Sequence, residues 1–250
     1  MMFEHIPYGS APQGKSKYLF TDHPKMWKDR NTVQSAEVYY TCNKDGYRER
    51  EWNEINWNNF ILFLGDSFTF GLGVRQRETI PFYVENKTNI CCVNLSIPGA
   101  SLELLTQLSL IIKEKADPTA VVLQYPHEKR LYDPITATYH GNLGRWIETW
   151  PDMVPIESRD LYNVWASNSI RATTKINFYS NILRHIWKDN CYLEWTSYDG
   201  VSSQLEIPTF DSNFCNKSDL ARDGFHLGKR KNKQIAYQIV NYLEKKNKCI

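Results

Sequence analysis

The sequence predicts an α/β protein: one parallel sheet with helices on both of its faces. Three features lead there. Apolar runs of strand length recur at 59–64, 89–95 and 120–125. They lack polar alternation, as strands buried on both faces do. Helix-like segments alternate with them over short links, the pattern of a parallel sheet wrapped by helices. At 250 residues the chain suits one sizeable domain with ample core.

Residues 1–57 are polar and irregular, with Pro7, Pro12 and Pro24 among scattered aromatics. They read as an arm packed on a body formed by 58–250. Within the arm, 37–41 fits a short strand and 43–48 a turn. Tyr47 and Arg48 take either a structural role, the favoured reading, or a place at the rim of a functional site. The first core strand, 59–64, stops abruptly at Gly65. Asp66 and Ser67 follow, then a stretch running through Gly71 and Gly73 to Val74. A hydroxyl at the carboxyl end of a parallel strand faces the crevice where such sheets bind ligands. Gly65 is expected to let the chain turn sharply. Asp66 is expected to hold the loop by accepting from its backbone amides. Gly-Asp-Ser after a strand is often only a turn, so the rest of the chain has to decide.

A helix is expected from about 78 to 86, with Pro81 tolerated in its first turn. Residues 89–95 form the second strand. Ser101 reads as the N-cap of a helix that carries Leu104, Leu105, Leu108, Ile111 and Ile112 on one face. Residues 120–125 are the third strand. Residues 127–168 lack clean periodicity and hold Tyr132, Tyr139, Trp146, Trp150, Tyr162 and Trp165. So long an insertion reads equally as a binding lid or as aromatic packing onto the body. Residues 169–188 make a long amphipathic helix with Ile176, Tyr179, Leu183 and Ile186 inward and His185 at its surface or boundary. Residues 191–195 are a fourth strand. The final helix turns Ile235, Ala236, Ile239, Val240 and Leu243 inward. Its basic start, Lys229, Arg230, Lys231 and Lys233, is a solvated helix end.

A net charge of +2 gives no electrostatic case for nucleic acid. No run is long enough to span a bilayer. The first residues lack the basic start and apolar core of a secretory signal, so a cytoplasmic location is expected. None of the six cysteines sits in a C-x-x-C pair and no histidine clusters near them, so neither a metal nor a cofactor is expected. Cys91 and Cys92 read as small core residues in a reducing compartment. The sequence leaves the oligomeric state open.

Three stretches then stand together: Gly65-Asp66-Ser67 after the first strand, Gly99 after the second, and Asp223-x-x-His226 before the last helix. Strand ends of a parallel sheet converge on one edge, so these can meet. A serine nucleophile needs a base, and the base needs an orienting group. His226 is the only histidine in a D-x-x-H frame.

In these blocks, with the lead-in Asn43-x-x-Gly46-Tyr47-Arg48 and the Asn94-Leu95-x-x-Pro98-Gly99 segment, the chain resembles the SGNH (GDSL) hydrolases over roughly residues 40–245. The resemblance implies a three-layer α/β/α sandwich with a flavodoxin-like sheet. It makes Ser67 the nucleophile, His226 the general base and Asp223 the residue that orients it. It puts the backbone amides of Ser67 and Gly99 in the oxyanion hole. One block departs from the family, whose third block usually reads G-x-N-D and supplies a third oxyanion donor from its Asn. Here 124–130 reads Gln-Tyr-Pro-His-Glu-Lys-Arg, which sets Glu128 at the Asn position. A carboxylate there repels an oxyanion, so Gln124 or His127 is the candidate replacement. The expected activity is hydrolysis of an O-acyl ester, on a carbohydrate or another small molecule. An acyltransferase and a non-catalytic glycan- or protein-binding module are the alternatives.

Overall fold

The computed structural model describes residues 11–24, 37–132, 142–143, 156–198, 201, 205 and 219–246. Near the N-terminus β1 (Gly14–Ser16) and β2 (Tyr40–Cys42) pair antiparallel. The central sheet contains β3 (Phe60–Leu64), β4 (Cys91–Asn94), β5 (Ala120–Tyr125) and, much later in the chain, β8 (Cys191–Thr196). Its order is β4-β3-β5-β8 and every pairing in it is parallel. The first connection leaves β3 for β4 at one side. The next crosses back to β5 on the other, so the strand order reverses beside β3. A reversal of this kind opens a crevice at the strands' carboxyl ends. Between β5 and β8 lies a small antiparallel pair, β6 (Leu131–Tyr132) and β7 (Asn142–Leu143).

Helices cover both faces. On one, Leu62 and Leu64 of β3 pack with Leu105 and Leu108 of α3 (Leu102–Lys115) and with Ile176 and Leu183 of α5 (Ser169–Ile186). On the other, Ile61 and Phe63 pack with Ile80 and Val84 of α2 (Ile80–Thr88) and with Ile235 and Ile239 of α6 (Lys229–Lys245). All five β3 residues are fully buried, which is why their run shows no alternation. The fold is therefore a three-layer α/β/α sandwich, the class that the alternation of strands and helices predicts. The remaining helices are α1 (Ser67–Phe70) and α4 (Ile156–Ala166).

Two expectations change. Residues 156–166 are helical, although the insertion shows no periodicity in the sequence. Ser158 and Tyr162 face inward while Ile156, Leu161 and Val164 face outward. The buried stripe is thus not the aliphatic one. Tyr139, Trp146 and Trp150 lie outside the described residues. Cys42 and Cys92 are buried free thiols, whereas Cys191 is disulfide-bonded, which a reducing compartment does not lead one to expect. Among the described residues no helix is long and apolar enough to cross a membrane, and no cluster of His, Cys, Asp or Glu is suited to a metal ion.

Candidate active site

Ser67 opens α1 directly beyond β3. Asp66 caps that short helix, its Oδ1 accepting from the Phe68 N–H at 3.0 Å. A cap of this kind contributes about 1 kcal/mol. Gly65 is required for space, and its φ is not left-handed. A Cβ there would lie 2.7 Å from Gln124 Oε1 and 2.8 Å from Thr69 Oγ1.

Gln124 fills the gap that Gly65 leaves. Its Oε1 accepts from the Asp66 N–H at 3.1 Å and from the Thr69 hydroxyl at 2.9 Å. Its Nε2 donates to Asp66 Oδ1 at 2.8 Å and to Ser197 Oγ at 3.3 Å. An amide nitrogen carries two hydrogens, and both are engaged. Gln124 therefore has no hydrogen left for an oxyanion, contrary to expectation, and acts as a support for the Ser67 loop. The second oxygen of Asp66 accepts from the Tyr198 hydroxyl at 3.0 Å.

Asp223 and His226 come from the loop that precedes α6. Asp223 Oδ1 accepts from the N–H groups of Phe225 and His226, each at 3.0 Å. Its Oδ2 lies 2.6 Å from His226 Nδ1, and His226 Nε2 lies 2.7 Å from Ser67 Oγ. A carboxylate can only accept, so Nδ1 carries the hydrogen and Nε2 is left to take the one on Ser67. Burial opposes the charge on Asp223. The His226 ring and the two backbone donors outweigh it and hold the carboxyl well below the usual carboxylate range. Ser67, His226 and Asp223 are 5%, 3% and 0% exposed. Among the described residues no acceptor is found for the backbone N–H of Ser67 or of Gly99.

His127 stands further along the same edge. Its Nδ1 accepts from the Lys129 N–H at 3.2 Å and lies 3.3 Å from Glu128. Burial lowers its pKa against the pull of the Glu128 charge. A row of rings links His127 to the triad. Centroids are 5.1 Å apart for Phe225 and His226, 5.0 Å for His226 and Phe68, 6.0 Å for Phe68 and Tyr198, and 5.1 Å for Tyr198 and His127. Phe225 is 59% exposed.

No protein-family model matches the chain, and no curated protein matches it. Solved structures do. A lipase/acylhydrolase from Enterococcus faecalis is 12% identical, with a TM-score of 0.47 over 75% of this chain and 96% of that one. The psychrotrophic esterase EstA from Pseudoalteromonas sp. is 16% identical, with a TM-score of 0.44 over 76% and 98%. A family two carbohydrate esterase from Clostridium thermocellum is 12% identical, with a TM-score of 0.46 over 77% of this chain and 65% of that one. At these identities the chemistry rests on the geometry of the three side chains alone.

Residues beyond Ser67, His226 and Asp223 also build the site. Arg48 is fully buried and binds the backbone carbonyls of Phe70, Gly71 and Val74, just beyond Ser67. It touches loop backbone and not the rim. Tyr47 is fully buried against Trp52. Asn94 donates to Thr69 O at 3.3 Å and ties the second strand to α1. Gly73 adopts φ +75°, and a Cβ there would lie 2.7 Å from the Ala221 Cβ and 3.1 Å from the Arg222 nitrogen. Gly73→Ala therefore forces the Ser67 loop and the Asp223 loop apart. The left-handed φ costs about 1–2 kcal/mol and the overpacking about 1–3 kcal/mol. Urea unfolding should show a lower midpoint at unchanged slope. An unchanged midpoint would mean that the two loops do not pack this closely.

Proposed function

We propose that the protein is a serine esterase or deacetylase that hydrolyses an O-acyl ester. The observation that carries this reading is the continuous chain from Ser67 Oγ through His226 to Asp223, at 2.7 and 2.6 Å. Ser67 Oγ attacks the ester carbonyl while His226 Nε2 takes its proton. The Asp223 carboxylate stabilises the resulting imidazolium. The N–H groups of Ser67 and Gly99 serve the oxyanion. His226 returns the proton to the leaving alcohol. Water, activated by the same imidazole, then splits the acyl-enzyme and regenerates the Ser67 hydroxyl.

With Gln124 committed to Asp66, His127 Nε2 is the remaining side-chain candidate for a third donor. Loss of one such donor costs about 2.7–4 kcal/mol of transition-state stabilisation, roughly a hundred- to thousandfold in rate. A site with only the two amides is thus slower than a complete one by about that factor. The exposed Phe225 face beside His226 supports a carbohydrate as the alcohol, because aromatic faces stack on sugar rings. Residues 58–250 form the catalytic body in this reading and 1–57 an arm that braces it.

The test is labelling by a fluorophosphonate serine probe. Wild type should label, and Ser67→Ala and His226→Ala should not. A folded wild type that stays unlabelled would overturn the reading in favour of a non-catalytic binding module, to be pursued by glycan binding. If labelling succeeds, product analysis with acceptor glycans separates hydrolysis from acyl transfer.

A further inference from the structure

Asp223 is followed through the fold to an N-terminal ion pair that no motif includes. Its neighbour Arg222 is buried and forms a two-pronged pair with Asp22: Nε lies 2.9 Å from Oδ1, and Nη2 lies 2.5 Å from Oδ2. The same guanidinium donates to Val38 O at 3.2 Å and to Lys17 O at 2.6 Å. The Arg222 backbone N–H donates to Gly73 O at 2.9 Å. The Gly73 N–H in turn donates to the Tyr40 hydroxyl oxygen at 2.8 Å, and that hydroxyl donates to Asp22 Oδ2. The bonds close a ring: Asp22, Arg222, Gly73, Tyr40 and back to Asp22.

We propose that Asp22, Tyr40 and Arg222 are positioning residues that set the Ser67–His226 distance by clamping the nucleophile loop to the acid–base loop. The proposal deepens the serine-hydrolase reading and rests on it. Ser67 lies six residues before Gly73, and Asp223 is next to Arg222, so each half of the triad hangs from one side of the ring. The two halves share no regular secondary structure. They meet where Ser67 and Phe68 touch His226 and where Gly73 packs on Ala221 and Arg222, and the second of these contacts is the one braced by the arm. A misplacement of about 1 Å at the reacting atoms is enough to cost roughly a hundredfold in rate. Asp22 is hydrogen-bonded to Arg222, and Tyr40 to Gly73 and Asp22, so both bear on the two loops through these bonds.

Tyr40→Phe tests the clamp with little change of shape. It keeps the ring stacked on Phe70 and under Arg48, and it removes the acceptor for Gly73 and the donor to Asp22. Arg222→Lys keeps the charge and loses the fork. With p-nitrophenyl acetate, both folded variants should lose at least about tenfold in kcat while KM stays within about twofold, since only the alignment of the triad is disturbed. Equal kcat in a folded Tyr40→Phe overturns the proposal. A readout independent of turnover is the proton NMR signal of His226 Nδ1–H, identified by its loss in His226→Gln. Tyr40→Phe should shift or broaden it relative to wild type, and an unchanged signal again overturns the clamp. If wild type neither labels nor turns over, the hydrolase reading fails, and the NMR comparison alone decides whether the ring holds the loop.

Discussion

Asp223→Asn is expected to lower kcat by roughly four orders of magnitude while leaving the site assembled. The asparagine oxygen can still accept from the Phe225 and His226 amides, as Asp223 Oδ1 does at 3.0 Å. Its nitrogen must then face His226 Nδ1, and a nitrogen that donates there drives the imidazole hydrogen onto Nε2. The ring would present a donor to Ser67 where it now presents an acceptor. The same substitution has a consequence for stability. The Asp223 carboxyl is held below its ordinary range. Its contribution is complete above the unfolded value of about 3.9 and fades as pH falls toward the lower folded value. Asp223→Asn should therefore flatten the wild type's loss of stability on acidification below about pH 4. Activity and urea midpoints on one preparation check both effects. A variant within about tenfold of wild-type kcat would show that Asp223 does not orient the base.

The sheet and the meeting of Ser67, His226 and Asp223 are legible in the sequence for local reasons. β3, β4 and β5 are continuous apolar runs because both faces of each are covered. Asp223 and His226 share one loop, so a three-residue spacing reveals the pair. What escapes is what depends on distant partners. Gln124 stands in the block where a donor is expected, and only the ends of β3 and β8 show that its amide is already committed. Asp22 lies in a polar segment with no pattern, yet its partner is 200 residues away. The helix at Ile156–Ala166 turns its aliphatic residues outward, so hydrophobic periodicity points away from it. Local motifs thus report the side chains that meet at the candidate site, and the supports that hold them become visible only with the fold.

Arg48→Ala is expected to cost more stability than any change in the triad, about 3 kcal/mol or more. Among the described residues no carboxylate is hydrogen-bonded to Arg48. Its Nη1 reaches the carbonyls of Phe70, at 3.3 Å, and Gly71, its Nη2 reaches Val74 O at 2.7 Å, and its Nε reaches Gln76 Oε1 at 2.8 Å. Burial lowers its pKa, and nearby Tyr40 pulls the other way, but a guanidinium remains charged. The charge is thus held by carbonyls of the loop beyond Ser67 and by the Tyr40 ring face, 4.6 Å from the guanidinium carbon. Removing the side chain leaves three buried carbonyls without this donor, at about 1 kcal/mol or more each, and opens a cavity besides. Arg48→Lys keeps a charge, but a point ammonium cannot serve three carbonyls fixed in a fork. It should recover only part of the loss. Urea unfolding of both variants measures this. The residual activity says what Arg48 is for. If it braces the loop, kcat should fall with stability and KM should hold. If instead Arg48→Lys raised KM at unchanged stability, the side chain would be touching substrate, and its burial under the loop would not describe the protein during turnover.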